Sequence, residues 1–374
     1  MMAEDGELRV STLELFFDLV FVFTVTQLTT LIEHDLSAVG AVRAALIFVI
    51  MYWMYGGYAW LTNQLPPEPH AHRLLLIGGM AAFLVCALAI PHAFEDDALA
   101  FAIGYLLVVL VHAGLYGHGY GRAVWRFVPM NVLGAFSLVG AAFVHGASRY
   151  AFWALPILLQ YLTSRLAGQV DESRHAGFDL RPAHFVERHG LLLIVVFGES
   201  IVAIGIGLGE LALNPTIYGA AVLGLVLAAV LWWSHFVEDQ DRAEEALTGA
   251  PVGDRVRMAL GGFFYAYMPI LFGVVALAAG LRHAIGHITE PLPLAHAVLL
   301  GGGVGLFLAG EVAFRRALGI APLLGRTVAA ATAFATPLAG VHASALAQVA
   351  ILIALVAAAL VVEAPARWAA VPRG

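Results

Sequence analysis

Two carboxylates stand at positions where a charge is hard to keep. In "STLELFFDLVFVFTVTQLTTLI" (11–32), Asp18 interrupts a run of phenylalanines and valines, and Glu14 precedes it by one helical turn. In "VERHGLLLIVVFGESIVAIGIGLGE" (186–210), Glu199 lies ten residues past His189, about 15 Å along a helix. A carboxylate at the centre of a bilayer costs about 2.5–3.5 kcal/mol on insertion scales, so such groups face a bundle interior or a wet cavity. There they can carry a proton or bind a cation. On a helical wheel Glu14, Asp18 and Thr29 fall within about 60° of one another, with Thr26 at the edge, which makes a polar stripe on one face. Ser11-Thr12-Leu13-Glu14 also fits a capping box, so Glu14 has a structural reading of its own. Asp18 lies too deep to cap; its structural alternative is a pair with an arginine. Ser200 and Gly198 flank Glu199, and Gly205, Gly207 and Gly209 follow, permitting close packing or an unwound stretch.

The elements that hold these residues follow from composition. The 374-residue chain is 61% hydrophobic and only 12% charged, and its mean hydropathy is +0.87. Soluble domains carry about 25% charge, so the chain is an integral membrane protein. At roughly 20 apolar residues per crossing, the pattern predicts an all-α polytopic architecture of about twelve transmembrane helices: 13–31, 39–61, 73–91, 98–116, 129–145, 149–166, 189–208, 216–236, 257–281, 293–314, 325–341 and 344–362. The acidic start, MMAEDGELRV, lacks the basic region of a cleaved signal peptide.

Arginine placement gives an independent test of this topology, because cytoplasmic segments collect basic residues. Lysine is absent; with the N-terminus inside, sixteen of the 19 arginines fall on the inner side. Arg43, Arg149 and Arg282 fall outside. Both termini are then expected in the cytoplasm. The halves resemble one another: "HRLLLIGGMAAFLVCALAI" (72–90) lines up with "RVRMALGGFFYAYMPILFG" (255–273), and Arg126 and His145 answer Arg326 and His342. Glu187 answers Glu14 more weakly. Six spans return the chain to its starting side, so a 6+6 repeat must be parallel, with a working site between halves. The expected organisation is a first repeat over 1–166, a cytoplasmic connection over 167–188 and a second repeat over 189–374.

Other polar residues read more plainly. Glu311 and Arg315, four apart, are expected to pair with each other. Asn131, Gln160 and His112 suit helix–helix hydrogen bonds. The aromatic run "YWMYGGYAW" (52–60) suits an interface anchor. His283 and His287 stand at i and i+4, yet nothing completes a metal set. The single cysteine, Cys86, allows neither an intrachain disulfide nor a cysteine metal site. No H-E-x-x-H, G-x-S-x-G or P-loop is present. No cofactor, no metal and no nucleic-acid partner is expected.

"LELFFDLVFVFTVTQL" and "ERHGLLLIVVFGESIVAIG" together resemble the bacterial low temperature requirement A (LtrA) family, and the resemblance extends over essentially the whole chain. It implies a multi-pass protein of the bacterial cytoplasmic membrane and points to Glu14, Phe17, Asp18, Glu187, Arg188, Gly198, Glu199 and Ser200. His189 stands where the motif would have an aromatic residue. The resemblance implies no reaction. The leading expectation is a secondary transporter or ion-conducting protein whose intramembrane carboxylates relay protons or cations for an unidentified small-molecule or ion substrate. Ion- or substrate-binding residues would be Asp18, Glu199, Ser200, Glu14, Thr26, Glu187 and Arg188. The alternatives are a membrane-embedded enzyme using the same acids on a lipid-like substrate, or a substrate-free sensor or assembly protein. The lipid bilayer is the expected partner, and a homo-oligomer is allowed.

Overall fold

The computed structural model describes residues 10–64, 70–119, 128–168, 180–209, 212, 214–237 and 239–368; the side chains of 117–119, 164–168 and 365–368 stand outside that description. All regular structure among the described residues is helical. The helices are α1 (Thr12–His34), α2 (Ala38–Gln64), α3 (His70–Ala89), α4 (Ala98–Gly119), α5 (Val128–Ala141), α6 (Ser148–Gly168), α7 (Pro182–Leu208) and α8 (Pro215–Phe236). There follow α9 (Asp239–Gly249), α10 (Val252–Ala259), a π-helical segment (Leu260–Ala266), α11 (Tyr267–Gly286), α12 (Leu294–Leu318), α13 (Leu324–Ala333), α14 (Pro337–His342) and α15 (Ala345–Trp368).

Nine stretches among the described residues are long and apolar enough to cross a membrane. Their outward faces are apolar as well: Leu99, Ile103, Leu107 and Leu110 recur every three or four residues on α4, all exposed. A surface of that kind fits a polytopic protein whose solvent is lipid. Helix occupies most of each of the twelve segments anticipated from hydropathy; α5 stops at Ala141, short of the anticipated 145, and there are three further departures. The helix anticipated from 189 begins instead at Pro182, whose ring suits a first helical turn, so "VERH" is helical rather than loop. The 325–341 segment is broken into α13 and α14, with Pro337 opening the second piece. The 257–281 segment includes the π-helical turns at Gly261-Gly262. The anticipated loop between α6 and α7 falls, over 169–179, outside the described residues, as do Arg9, Arg122, Arg126, Arg174 and Arg373.

The chain forms two compact units. The first comprises 1–31, 38–188 and 251–257; the second comprises 32–37, 189–250 and 258–374. In the first, α1 brings Phe17 and Phe21 against Tyr52, Tyr55 and Tyr58 of α2 and Phe83 of α3, with ring centroids 4.5–6.3 Å apart. In the second, α11 and α12 pack backbone against backbone through Gly273, Gly280, Gly303 and Gly310. Each unit encloses a buried cluster of charged side chains.

Candidate functional site

The cluster of the first unit grows from the cap of α1. The Ser11 amide and hydroxyl donate to Glu14 Oε2 at 2.9 and 2.8 Å, and the Glu14 amide donates back to Ser11 Oγ at 3.3 Å. The capping box is therefore real, but Glu14 does more. Its Oε1 accepts Nη1 of Arg188 at 2.8 Å, and its Oε2 meets Nε2 of His184 at 3.3 Å. One turn deeper, Asp18 Oδ1 accepts the Tyr55 hydroxyl at 2.8 Å and Arg188 Nη2 at 3.4 Å. Arg188 also donates to Thr62, and its guanidinium lies 5.9 Å from the Phe17 ring centroid. Glu14, Asp18 and Arg188 are each at most 1% exposed. Of the candidates from sequence, the fold thus gathers Glu14, Asp18 and Arg188.

The arginine that a structural reading of Asp18 requires is present. Its charge, however, is divided between two carboxylates. Asp18 Oδ2 and Arg188 Nε are buried without a hydrogen-bond partner among the described residues, an arrangement that buried polar atoms rarely adopt.

The remaining candidates lie apart from that cluster. Glu187 is half-buried and accepts the Val10 amide at 3.4 Å. The Thr26 hydroxyl turns back to the Val22 carbonyl at 3.4 Å. Glu199 and Ser200 belong to the second unit and are both buried. Glu199 acts electrostatically on Glu33, which is paired with Arg282. The Ser200 hydroxyl has no hydrogen-bond partner among the described residues.

The second unit holds a larger network. Arg315 Nε and Nη2 grip both oxygens of Asp239 at 2.7 and 2.8 Å, and its Nη1 donates to Glu363 at 2.9 Å. Arg326 donates to Asp239 at 2.7 Å, to Glu363 at 3.2 Å, to Glu311 and to the Ser234 carbonyl. His235 bridges Glu311 (2.7 Å) and the Tyr267 hydroxyl (2.9 Å). The expected Glu311–Arg315 pair is therefore corrected. An i,i+4 pair leaves most guanidinium donors unmet, and a buried arginine needs acceptors for all of them.

One further expectation changes. Tyr52, Tyr55 and Tyr58 are fully buried, so the aromatic run on α2 is core packing and not an interface anchor. His283 stacks on His287 and on His296, with ring centroids 4.6 and 3.9 Å apart; among the described residues no His, Cys, Asp or Glu group is arranged to hold a metal. Gln160 does donate to Tyr105 at 3.1 Å, as a helix–helix bond should.

Residues 9–362 match the family described as bacterial low temperature requirement A protein (LtrA). The chain belongs to the LtrA family. It is also 28% identical over 317 residues to the uncharacterized protein RA0937 of Rhizobium meliloti (strain 1021), covering 81% of this chain and 76% of that one. No solved structure matches it. In this LtrA-family chain the first-unit cluster is built on both motif segments that carried the resemblance, 13–28 and 187–205. Tyr55, Thr62, Asn63 and His184 complete the cluster; Tyr55 lay in the aromatic run read as an interface anchor, and the other three were not singled out from sequence. His184 did carry a signal, since it lies one turn before Arg188 on a helical face. For Tyr55 and Asn63 nothing local pointed inward.

Proposed function

We propose that this LtrA-family protein is a transport protein of the bacterial cytoplasmic membrane, and that it handles a proton or another cation through Asp18 in the first unit and Glu199 in the second. In this reading the chain crosses the membrane twelve times as two parallel six-span repeats, with both termini in the cytoplasm. One observation carries the functional part: the buried first-unit cluster sets two carboxylates, Glu14 and Asp18, against one arginine. A purely structural ion pair gains nothing from a second buried acid, because an uncompensated charge in a low-dielectric interior is strongly destabilising. An acid kept there in spite of that cost suits a group that gains and loses a positive partner in use.

Purified protein in liposomes should dissipate or exploit an imposed proton gradient. Asp18→Asn should abolish the flux and Glu199→Gln should reduce it at least tenfold, with both variants eluting as the parent does in detergent. Flux unchanged in both variants would remove the mechanism.

A further inference from the structure

The hydrogen bonds around His184 decide where a proton can reside in the first unit. Asn63 fixes its own amide by two bonds to one residue: Oδ1 accepts the Arg181 amide at 3.1 Å, and Nδ2 donates to the Arg181 carbonyl at 3.0 Å. With the amide oriented in this way, the Nδ2 hydrogens also face His184 Nδ1 at 3.2 Å. That ring nitrogen must therefore accept. The only imidazole proton is on Nε2, from which it is donated to Glu14 Oε2 at 3.3 Å. With Nδ1 accepting from Asn63, the ring donates to Glu14 from Nε2 alone.

Glu14 is then fully engaged. Its oxygens accept from the Ser11 amide, the Ser11 hydroxyl, His184 and Arg188, and four donors favour its anion. The Arg188 charge is thereby matched by Glu14 at 2.8 Å, with Asp18 farther away at 3.4 Å. The titratable and charged groups facing Asp18 are Glu14 on its own helix, Tyr55 on α2, and Arg188 and His184 on α7. Arg188 is the one arginine among them. Among the described residues, both donors that reach Asp18 reach Oδ1, and Oδ2 has none.

We infer that the ion handled by this cluster is a proton, and that it resides on Asp18 Oδ2 because Asn63 denies it to His184. This rests on the ion-handling reading above and narrows it to one ion and one atom. Protonation removes the uncompensated charge, and an unmet hydroxyl costs less than an unmet anionic oxygen. A hard metal cation asks for six or more oxygen ligands, whereas one free oxygen beside a guanidinium offers one. The step is a simple addition: water-borne hydronium gives its proton to Oδ2, forming an O–H bond on the carboxylate and leaving water.

The test is infrared spectroscopy of the full-length protein in liposomes at about pH 7, reading the carbonyl band of protonated carboxyl groups, with and without 13C-labelled aspartate. An aspartate-labelled band should be present and should disappear in Asp18→Asn. It should persist in His184→Gln, where a neutral side-chain donor still faces Glu14. It should weaken at least severalfold in Asn63→Leu, which frees Nδ1 to take the proton in place of Asp18. Absence of an Asp18-dependent band overturns the inference, and so does a band of full strength in Asn63→Leu. Proton flux lost in Asp18→Asn without any such band would sink this inference and leave the transport reading standing. The band without flux would support the proton seat and sink the transport reading.

Discussion

Arg326 meets acceptors on three helices and on the main chain, and each would lose its compensation if the guanidinium were removed. Arg326→Gln leaves Asp239 and Glu363 with Arg315 alone and Glu311 with His235, inside a network whose members are all at most 1% exposed. Breaking a buried pair from one side costs about 3–5 kcal/mol. The variant should therefore unfold at a markedly lower temperature in detergent. Arg257→Gln is the control: its pair with Asp254 spans 2.7 Å, but Arg257 is 79% exposed, and such pairs contribute about 0–1 kcal/mol. Equal losses in the two variants would mean that burial does not govern these pairs. At this scale the sequence disclosed the acids and not their partners. Asp18 and Glu199 stand out because an apolar run makes a charge conspicuous. Nothing periodic links position 18 to 188, or 239 to 315, 326 and 363; those contacts belong to the fold alone. The i,i+4 rule even misdirected Glu311 towards Arg315, since it counts neighbours on one helix and ignores those arriving from others.

Helix–helix contact in the second unit depends on small residues. A Cβ at Gly273 of α11 would lie 2.6 Å from the Phe307 amide nitrogen and 2.7 Å from the Gly303 carbonyl oxygen on α12. Both obstacles are backbone, so Gly273→Ala must push the helices apart. Overpacking of this kind costs about 1–3 kcal/mol. Gly302 meets nothing within 4 Å, and alanine there has the better helix propensity by up to about 1 kcal/mol. Gly273→Ala should lower the unfolding temperature, and Gly302→Ala should leave it unchanged or raise it. A harmless Gly273→Ala would show that the close approach is not what holds α11 to α12. Helices were the most legible level, because hydrocarbon selects long apolar runs whatever their partners. Irregularities were not: the π-helical turns before Tyr267 and the gap between α13 and α14 alter hydrogen bonding without altering hydropathy. The π-helical segment leads directly into Tyr267, whose hydroxyl meets His235, the kind of place where such turns recur.

For the molecule as a whole, the proposed twelve crossings turn on α13 and α14, which decide the parity. At 1.5 Å per residue the 25 residues of α12 extend about 37 Å, more than the roughly 30 Å of a bilayer core. Near the C-terminal end of α12, Arg326 at the start of α13 binds Glu311. Just before its N-terminal end, Leu292 donates to the Gly340 carbonyl of α14 at 2.8 Å. Beside that contact the Ala345 and Leu346 amides reach the Glu290 and Ile288 carbonyls at 2.9 and 2.7 Å. The two short helices therefore run the length of α12 between them, and the break at 334–336 is tied by Gln348, which donates to the Ala297 carbonyl at 2.7 Å and to Thr336 at 3.3 Å. Broken helices are tolerated at membrane depth where protein satisfies the freed backbone. Arginine counting points the same way, although Arg188, Arg315 and Arg326 owe their positions to buried carboxylates rather than to the inner surface; setting them aside leaves the inward bias intact. Replacing Cys86 with alanine gives a background free of thiols. In intact cells, an impermeant thiol reagent should then label exposed Ala343→Cys and Ser37→Cys, and should reach exposed Glu245→Cys only after the membrane is opened. Protection of Ala343→Cys in intact cells, with Ser37→Cys labelled, would mean that α13 and α14 turn back without crossing. The proposed even number of spans would then fall, and the proposed parallel six-span repeat with it.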